Sequence, residues 1–214
     1  RALRGLSRRE RAKYSSRLAA RAAALSKEIE EVPRLLLVRH GRAAAGWDAD
    51  TDPGLDETGR EQARRMAQQV APLGPMDFLV SPMRRTRETA AALAELWGVA
   101  PRIEPRVSEI PSPTSDLKAR GRWLREIAAR RWSELEDEAL VRWREALFEA
   151  LGAIERDTVI VTHYIAINAA AGRAVGDERV VHFHPDYCSI TEFRNDGGRL
   201  ELIRYGAQAD TRLL

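Results

Sequence analysis

Cysteine is almost absent from this chain, since Cys188 is the only one among 214 residues. A single thiol excludes an intrachain disulfide and leaves no cysteine cluster to hold a zinc ion. We interpret Cys188 as a small buried hydrophobic residue rather than a reactive group. The scarcity of cysteine favours a reducing, cytoplasmic location over secretion.

Long apolar runs are missing as well, because no stretch approaches the roughly 20 apolar residues that a membrane-spanning helix needs. Hydrophobic residues make up 44% of the chain and charged residues 31%, which is typical of a globular protein. A chain of this length can bury one sizeable core. We therefore expect one globular domain and no membrane span.

Positive charge is concentrated at one end of the chain. Residues 1–30 contain nine Lys or Arg and three Glu, a local balance of +6, whereas the whole chain carries +3, so the remainder carries −3. Recognition of a phosphate backbone needs clustered cations. The body of the chain is therefore a poor candidate for binding nucleic acid, which we disfavour as a partner.

The basic segment, residues 1–32, has the pattern of an amphipathic helix. Ser7 and Glu10 form the S-x-x-E arrangement of a capping box, and Pro33 is expected to end the helix. Apolar residues recur at helical spacing: Tyr14, Leu18, Ala22, Leu25 and Ile29. We predict a helical arm that packs on its own domain or on a second copy in a homodimer. Another partner, nucleic acid, an acidic membrane surface and a targeting peptide stay open as alternatives.

Residues 33–214 alternate apolar runs with helical patterns, which predicts a mostly parallel sheet covered by helices. Three short runs, 35–38, 78–80 and 159–161, are each followed by polar residues. In open α/β sheets, ligands bind beyond the carboxyl ends of the strands. The polar residues after these runs are therefore expected to face one crevice.

Two helices carry clear start signals. Asp56 is predicted to cap a helix that continues to Val70. Ser81 as the cap and Pro82 at the first helical position predict a second helix that continues to Leu96.

The second helix places Arg85 in its first turn. Large apolar residues on one face predict a further helix over 140–154, with a role in the core. The stretch 109–133 contains the sequence IPSPTSD followed by a possible helix, and we interpret it as a candidate lid over the crevice.

The histidine and arginine residues that follow the predicted strands are suited to the chemistry of phosphoryl transfer. The transferred group carries negative charge on its equatorial oxygens, so its transfer depends on positioning and on fixed cations. A guanidinium can donate two hydrogen bonds to one phosphate. A neutral imidazole is a competent nucleophile near pH 7.

Four segments carry recognisable motifs: LLLVRHGRA (35–43), DPGLDETGREQA (52–63), SPMRRTRETA (81–90) and VIVTHYIAINAAAG (159–172). Together they resemble, in order and spacing, the RHG signature and the later motifs of the histidine phosphatase superfamily, also called the phosphoglycerate mutase-like family. The resemblance implies that residues 33–214 form a three-layer α/β/α sandwich of that kind.

The resemblance also implies roles for individual residues. His40 is similar to the family's nucleophile, and Arg39 and Arg85 to the arginines that hold the phosphate. His163 matches the second pocket histidine. Glu109, in RVSEIPSP, stands where many members place the acid that protonates the leaving group.

Gly41 is expected near the phosphate, because a residue without Cβ lets the backbone approach an anion closely. The implied reaction is hydrolysis of a phosphomonoester or phosphoramidate, on a small molecule or a protein, through a phosphohistidine on His40. It requires no metal or organic cofactor, since arginines supply the positive charge.

Departures from the family pattern leave alternatives open. Arg42, Ala43 and Gly46 stand where many metabolic members have phosphate-contacting hydroxyl and amide residues, and IPSPT replaces a common G-D-W-E-G stretch. These changes count against a phosphoglycerate mutase-type phosphotransferase, which remains an alternative. A noncatalytic phosphate sensor or partner-binding protein on the same fold is another, although the retained His40 disfavours it.

Other candidate residues carry weaker signals. His182 and His184 would share one face of an extended segment, but two histidines without a third ligand nearby are poor evidence for a metal site, and we predict none. Tyr164, Arg173 and Trp47 are possible specificity residues.

A chelator test follows from this interpretation. Incubation with EDTA should leave phosphatase activity unchanged, because two arginines supply the positive charge. The measurement is hydrolysis of p-nitrophenyl phosphate before and after chelation. Loss of activity that added metal restores would instead support a metal site at His182 and His184.

Overall fold

A computed structural model describes residue 17, residues 32–46 and residues 48–209 of the chain. The helical arm expected over residues 1–32 therefore lies outside the described residues, apart from positions 17 and 32, and its helix and its packing stay predictions. Trp47 also lies outside them.

The described residues form a six-stranded mixed sheet with the order β3-β2-β4-β1-β5-β6. Strands β1 to β4 pair in parallel, whereas β5 pairs antiparallel with β1 and with β6. The strands are β1 Arg34–Arg39, β2 Asp77–Val80, β3 Arg102–Ile103, β4 Thr158–Thr162, β5 Ile190–Asp196 and β6 Arg199–Arg204. The three strands expected from the apolar runs are confirmed as β1, β2 and β4.

Five α-helices connect and cover these strands within the described residues. They are α1 Glu57–Val70, α2 Arg84–Trp97, α3 Leu117–Ala128, α4 Glu138–Gly152 and α5 Tyr164–Val175. The Asp56 side chain caps α1 by accepting a hydrogen bond from the Gly59 N–H at 2.7 Å, as the sequence predicts. Short 3₁₀ turns occur at Ala71–Leu73, Pro105–Val107 and Trp132–Glu134.

Two apolar cores lie on opposite faces of the sheet because successive side chains of a strand point to opposite sides. Leu35 and Leu37 of β1 pack with α3, α4 and α5. Leu36 and Val38 pack with α1 and α2. Central strands buried on both faces explain the uninterrupted apolar runs. The predicted three-layer α/β/α sandwich is confirmed.

The start of α2 differs from the prediction. Ser81 and Pro82 do not cap the helix, which begins at Arg84 with Met83 at the N-cap position. The Ser81 hydroxyl lies 2.7 Å from His163 Nε2 and is used in that contact instead. Arg85 is still in the first helical turn, as expected.

The strand register brings the residues after β1, β2 and β4 together. Arg39 of β1 is paired with Thr162 of β4, and the His40 N–H donates to the Thr162 carbonyl at 3.0 Å. The Ser81 N–H donates to the Val161 carbonyl at 3.1 Å. One edge of the sheet therefore carries His40, Ser81 and His163. Across the described ranges, no helix is both long and apolar enough to cross a membrane.

A buried asparagine joins the sheet to the end of α4. Asn195 Nδ2 donates to the carbonyls of Gly152 at 2.9 Å and Ile154 at 2.8 Å, and Asn195 Oδ1 accepts from the Gly198 N–H at 3.0 Å. These contacts satisfy carbonyl groups that a helix C-terminus leaves without intrahelical partners.

Asn195→Ala should therefore lower the free energy of unfolding by about 2–3 kcal/mol, because it leaves several buried polar groups without partners. Urea unfolding measures the change. The neighbouring exposed variant Asp196→Ala is the control and should stay within about 0.5 kcal/mol of wild type. Equal effects of the two variants would contradict this role of Asn195.

Candidate active site

A cavity of about 420 Å³ opens at this edge of the sheet. Its inner end is lined by Arg39 and His40 after β1, by Arg85 of α2 and by Glu109. His163 lies directly behind His40, with 5.3 Å between the two ring centroids. The structure thus brings together the five charged or ionisable residues that the sequence singles out.

His40 is held in one orientation and one tautomer. Its side chain is buried, and Nδ1 lies 2.8 Å from the Gly41 carbonyl oxygen. The Arg85 Nε–H donates to His40 Nε2 at 3.2 Å. Because a guanidinium can only donate, Nε2 is the unprotonated nitrogen, and Nδ1–H donates to Gly41. A neutral imidazole with an accepting Nε2 therefore faces Arg85.

His163 is fixed by the same reasoning. It is fully buried, and its Nδ1 lies 3.2 Å from Arg85 Nη2 and thus accepts a hydrogen bond. Its Nε2–H donates to Ser81 Oγ at 2.7 Å. One guanidinium, that of Arg85, therefore orients both histidines.

Burial and positive charge keep both imidazoles neutral. Burial lowers the pKa of His40 well below its ordinary value of 6.5, and the charges of Arg85 and Arg39 lower it further. Burial and the Arg85 charge likewise hold the pKa of His163 well below that value. Both rings therefore have an unprotonated nitrogen at neutral pH.

Arg39 is positioned mainly by aromatic rings. Its guanidinium carbon lies 3.9 Å from the centroid of the Tyr187 ring and 4.8 Å from that of Tyr164. Its Nη1 donates to the Pro185 carbonyl at 2.8 Å. The buried Nε of Arg39 has no hydrogen-bond partner among the described residues. These contacts fix the plane of the guanidinium beside His40.

Glu109 supplies a carboxyl group to the cavity. Its Oε1 accepts from the Ile110 N–H at 3.1 Å, and its Oε2 lies 3.5 Å from the backbone nitrogen of Ile165 at the start of α5. Burial raises the pKa of Glu109, against the Ile110 hydrogen bond and the nearby Arg85 charge. A raised pKa increases the fraction of Glu109 that carries a proton.

Close packing gives one structural reason for a glycine at position 41. A Cβ at this position would lie 2.6 Å from the Gly59 carbonyl oxygen, so the glycine is needed for close packing against the start of α1. Its N–H donates to Thr89 Oγ1 at 2.9 Å. That N–H is therefore engaged within the protein, and Gly41 is absent from the residues that line the cavity.

The match to known proteins extends over most of the chain. A family model described as histidine phosphatase superfamily (branch 1) matches residues 35–208. The chain belongs to this superfamily. The predicted family and the predicted enzyme class, a phosphoric ester hydrolase, are thereby confirmed.

Individual relatives of this histidine phosphatase carry several names. A probable phosphoglycerate mutase, GpmB, of Photorhabdus laumondii is 30% identical over 164 residues, which cover 67% of this chain and 75% of that protein. The structure of a mycobacterial glucosyl-3-phosphoglycerate phosphatase, in complex with VO3, has a TM-score of 0.61 and 22% identity, covering 82% of this chain and 100% of the other.

A phosphoserine phosphatase of Entamoeba histolytica in complex with 3-phosphoglyceric acid also has a TM-score of 0.61. Its identity is 19%, and the match covers 82% of this chain and 98% of that one. At these identities the two solved structures show similarity of fold.

The candidate metal-ligating and specificity residues differ in where they lie in the histidine phosphatase structure. His182 lies in a bend and His184 in the irregular chain just after it, rather than in the extended segment expected. The described residues contain no group of three or more His, Cys, Asp or Glu side chains that could hold a metal ion. His184 Nδ1 is hydrogen-bonded to the hydroxyl of Tyr164, which lines the cavity. Arg173 instead lies over the Phe148 ring, outside the cavity lining.

The sequence alone did not identify several of the residues that line the cavity. Tyr187 follows the last family motif, and no local pattern marks it. The lid stretch 109–133 does contribute, because α3 covers the cavity with Arg120, Gly121, Leu124 and Arg125. The sequence predicts a lid here, but the two arginines that line the cavity, Arg120 and Arg125, resemble solvent-exposed charges in the sequence.

His40 and His163 are buried in their neutral form. We therefore predict that the folded protein becomes less stable as pH falls from 6.5 towards 5. In this window the unfolded chain binds protons that the folded chain excludes, so the free energy of unfolding decreases with falling pH. The slope contributed by each histidine is up to about 1.4 kcal/mol per pH unit. Urea unfolding at pH 7.0, 6.0 and 5.0 measures it.

The double variant His40→Gln/His163→Gln is the comparison for this prediction and should flatten the pH dependence. A smaller slope should remain, because burial also lowers the pKa of His182. An unchanged slope in the double variant would show that other groups cause the acid destabilisation.

Proposed function

We propose that this histidine phosphatase hydrolyses a phosphomonoester or phosphoramidate through a phosphohistidine formed on His40 Nε2. The observation that carries the proposal is the 3.2 Å hydrogen bond from Arg85 Nε to His40 Nε2, which identifies the unprotonated nitrogen and puts a cation beside it. A nucleophile and its charge stabiliser are thus already in contact.

In the first step, the Arg85 Nε–H turns from His40 Nε2 to a phosphoryl oxygen, which frees the Nε2 lone pair. That lone pair then attacks phosphorus, and the bond from phosphorus to the leaving group breaks. Nδ1–H continues to donate to the Gly41 carbonyl and shares the positive charge that develops on the ring. Arg39 and Arg85 stabilise the charge on the phosphoryl oxygens, and the buried site strengthens this attraction.

Glu109 is the proposed proton donor to the leaving oxygen or nitrogen. Its place in the cavity and its raised pKa support that role. In the second step, the resulting carboxylate accepts a proton from water as the water oxygen attacks phosphorus. The bond from phosphorus to Nε2 then breaks, which releases phosphate and restores neutral His40.

His163 is proposed to bind the phosphoryl group together with Arg85. Its Nε2–H is engaged by Ser81, and its Nδ1 is held by Arg85 Nη2. When Arg85 Nη2 turns towards a bound phosphate, Nδ1 of His163 is released and takes up a proton before it donates to a phosphoryl oxygen. Arg39 Nε has no hydrogen-bond partner in the described part of the chain, and the Arg39 guanidinium is proposed to supply a further donor.

A phosphoglycerate mutase activity is the second candidate, favoured by the 30% identity to the relative of that name. It would return the phosphoryl group from His40 to another hydroxyl instead of to water. Ala43 and Gly46 favour hydrolysis, because they lack the hydroxyl and amide groups that contact phosphate in many metabolic members. Arg42 lines the cavity, and its Nε donates to Asp56 at 2.6 Å and its Nη2 to Thr58 at 2.9 Å. We also propose a cytoplasmic location, on the evidence of the single cysteine.

His40→Ala should reduce hydrolysis of p-nitrophenyl phosphate at least about a thousandfold, because the covalent route is lost. Wild-type protein quenched in alkali after exposure to radiolabelled phosphoramidate should carry an acid-labile label, and the variant should carry none. A labelled variant, or one that keeps a tenth of the wild-type rate, would refute His40 as the nucleophile.

Glu109→Gln should slow alkyl phosphates about 10²- to 10⁴-fold, the usual contribution of a general acid. Hydrolysis of p-nitrophenyl phosphate should be slowed far less, since p-nitrophenolate leaves without a proton. Glu149→Gln, an exposed change on α4, is the control and should alter neither rate. Equal slowing of both substrates by Glu109→Gln would remove this residue from the acid role.

A further inference from the structure

The first turn of α2 is not capped by the residue that precedes it. Met83 at the N-cap position provides no side-chain hydrogen bond, and the Ser81 hydroxyl is engaged by His163 Nε2 at 2.7 Å. The first N–H groups of a helix have no partners within the helix, so they need acceptors from elsewhere. The helix that carries Arg85 therefore depends on a group from another part of the chain.

That group is the carboxylate of Asp52, which lies 32 positions before Arg84. Asp52 Oδ1 accepts a hydrogen bond from the Arg84 N–H at 2.8 Å. A carboxylate at this end of a helix satisfies an unpaired donor and interacts favourably with the helix dipole. Asp52 thus takes the place of the missing cap.

The same carboxylate oxygen faces the guanidinium of Arg85. Asp52 Oδ1 lies 4.0 Å from Arg85 Nη1, the one ion pair that Arg85 makes within the described residues. Burial lowers the pKa of Arg85, and the charges of Glu109 and Asp52 oppose that shift. Because 43% of the Asp52 side chain is exposed, solvent screens this attraction. The shorter hydrogen bond to the Arg84 N–H is therefore the stronger of the two contacts.

A second contact, one helical turn further on, holds the chain after Asp52 against α2. Glu88 Oε2 accepts from the Leu55 N–H at 2.7 Å, and Glu88 Oε1 accepts from Arg84 Nε at 2.7 Å. A Cβ on Gly54 would lie 2.7 Å from Glu88 Oε1, so the chain here lies directly against the helix. The start of α2 is thus attached to this chain at two points.

Asp52 acts on the active site through Arg85, since Asp52 itself is absent from the residues that line the cavity. Arg85 does line the cavity and lies 3.2 Å from a ring nitrogen of each histidine, His40 and His163. A shift of the first turn of α2 would move Arg85 relative to both rings. Since a misplacement of about 1 Å can slow an enzyme about a hundredfold, a contact that fixes this turn affects the reaction without touching the substrate.

Building on the proposed function, we infer that Asp52 is a positioning residue for the reaction on His40. Its hydrogen bond to the Arg84 N–H fixes the first turn of α2 and thereby keeps the Arg85 guanidinium in contact with both histidines. The ion pair with Arg85 adds little, because solvent weakens it. The site therefore needs a hydrogen-bond acceptor at position 52 and does not need its negative charge.

Two substitutions at position 52 separate the acceptor from the charge. Asp52→Asn keeps an oxygen that can accept from the Arg84 N–H, and asparagine caps helices as well as aspartate does. Its kcat for p-nitrophenyl phosphate should stay within about threefold of wild type, since a solvent-exposed ion pair contributes little. Asp52→Ala removes the acceptor and should lower kcat about ten- to a hundredfold. The change in KM should be smaller, because Arg39 still binds the phosphate of the substrate.

Asp137→Ala is the matched control, because the Asp137 side chain is also a helix cap. Its Oδ1 accepts from the Ala139 N–H at the start of α4 at 2.7 Å, and the described lining of the cavity contains no residue of α4. Asp137→Ala should lower the urea midpoint of unfolding by about as much as Asp52→Ala but leave kcat unchanged. Equal losses of kcat in the two alanine variants would overturn the inference.

The ring of His163 gives a measurement that does not need activity. Its tautomer depends on Arg85, because the hydroxyl of Ser81 at its other nitrogen can accept or donate. The nitrogen chemical shifts of the ring, measured by NMR, show which nitrogen carries the proton. Wild type, Asp52→Asn and Asp137→Ala should show His163 protonated on Nε2, whereas Asp52→Ala should show a mixture of both tautomers.

The two measurements separate this inference from the proposed function. If wild type does not hydrolyse p-nitrophenyl phosphate, the proposed function fails, and the NMR comparison alone decides whether Asp52 positions Arg85. A wild-type kcat in Asp52→Ala, equal losses of kcat in Asp52→Asn and Asp52→Ala, or an unchanged His163 tautomer in Asp52→Ala would each overturn the inference.

Discussion

The active site depends on the hydrogen bonds that the Arg85 guanidinium makes to two buried imidazoles. Arg85 donates to His40 Nε2 and contacts His163 Nδ1, both at 3.2 Å. Since arginine can only donate, this one side chain sets the tautomer of both rings. Burial and the charge of Arg85 together keep both rings neutral. Arg85 therefore links the geometry of the site to the protonation of its histidines.

The register of the sheet brings the active-site residues together. Parallel pairing of β1, β2 and β4 aligns their carboxyl ends, so that His40, Ser81 and His163 follow adjacent strands. Ser81 completes the arrangement from the side opposite Arg85, since its hydroxyl accepts from His163 Nε2. A residue that might have capped α2 is instead part of the support for the site.

The central strands, the main helices and the inner end of the cavity could be predicted because each has a local signal. Uninterrupted apolar runs indicate buried parallel strands, and Arg39, His40, Arg85 and His163 lie in or beside motifs of fixed spacing. Tyr187 and Arg120 could not be predicted as site residues, because their roles depend on contacts across the fold: an aromatic face against Arg39, and a helix laid over the cavity. The predicted N-cap of α2 was wrong for the same reason, since the Ser81 hydroxyl is hydrogen-bonded to His163, 82 positions away.

The packing of Gly41 against Gly59 divides the site into a fixed part and an adaptable part. Backbone meets backbone there: a Cβ on Gly59 would lie 2.1 Å from the Arg42 carbonyl oxygen. The turn that carries His40 is thus locked to the first helix, and even a methyl group would force the two apart. Changes that alter substrate choice, whether by natural variation or by engineering, must accumulate elsewhere, for instance in α3, which lines the cavity with Arg120, Leu124 and Arg125.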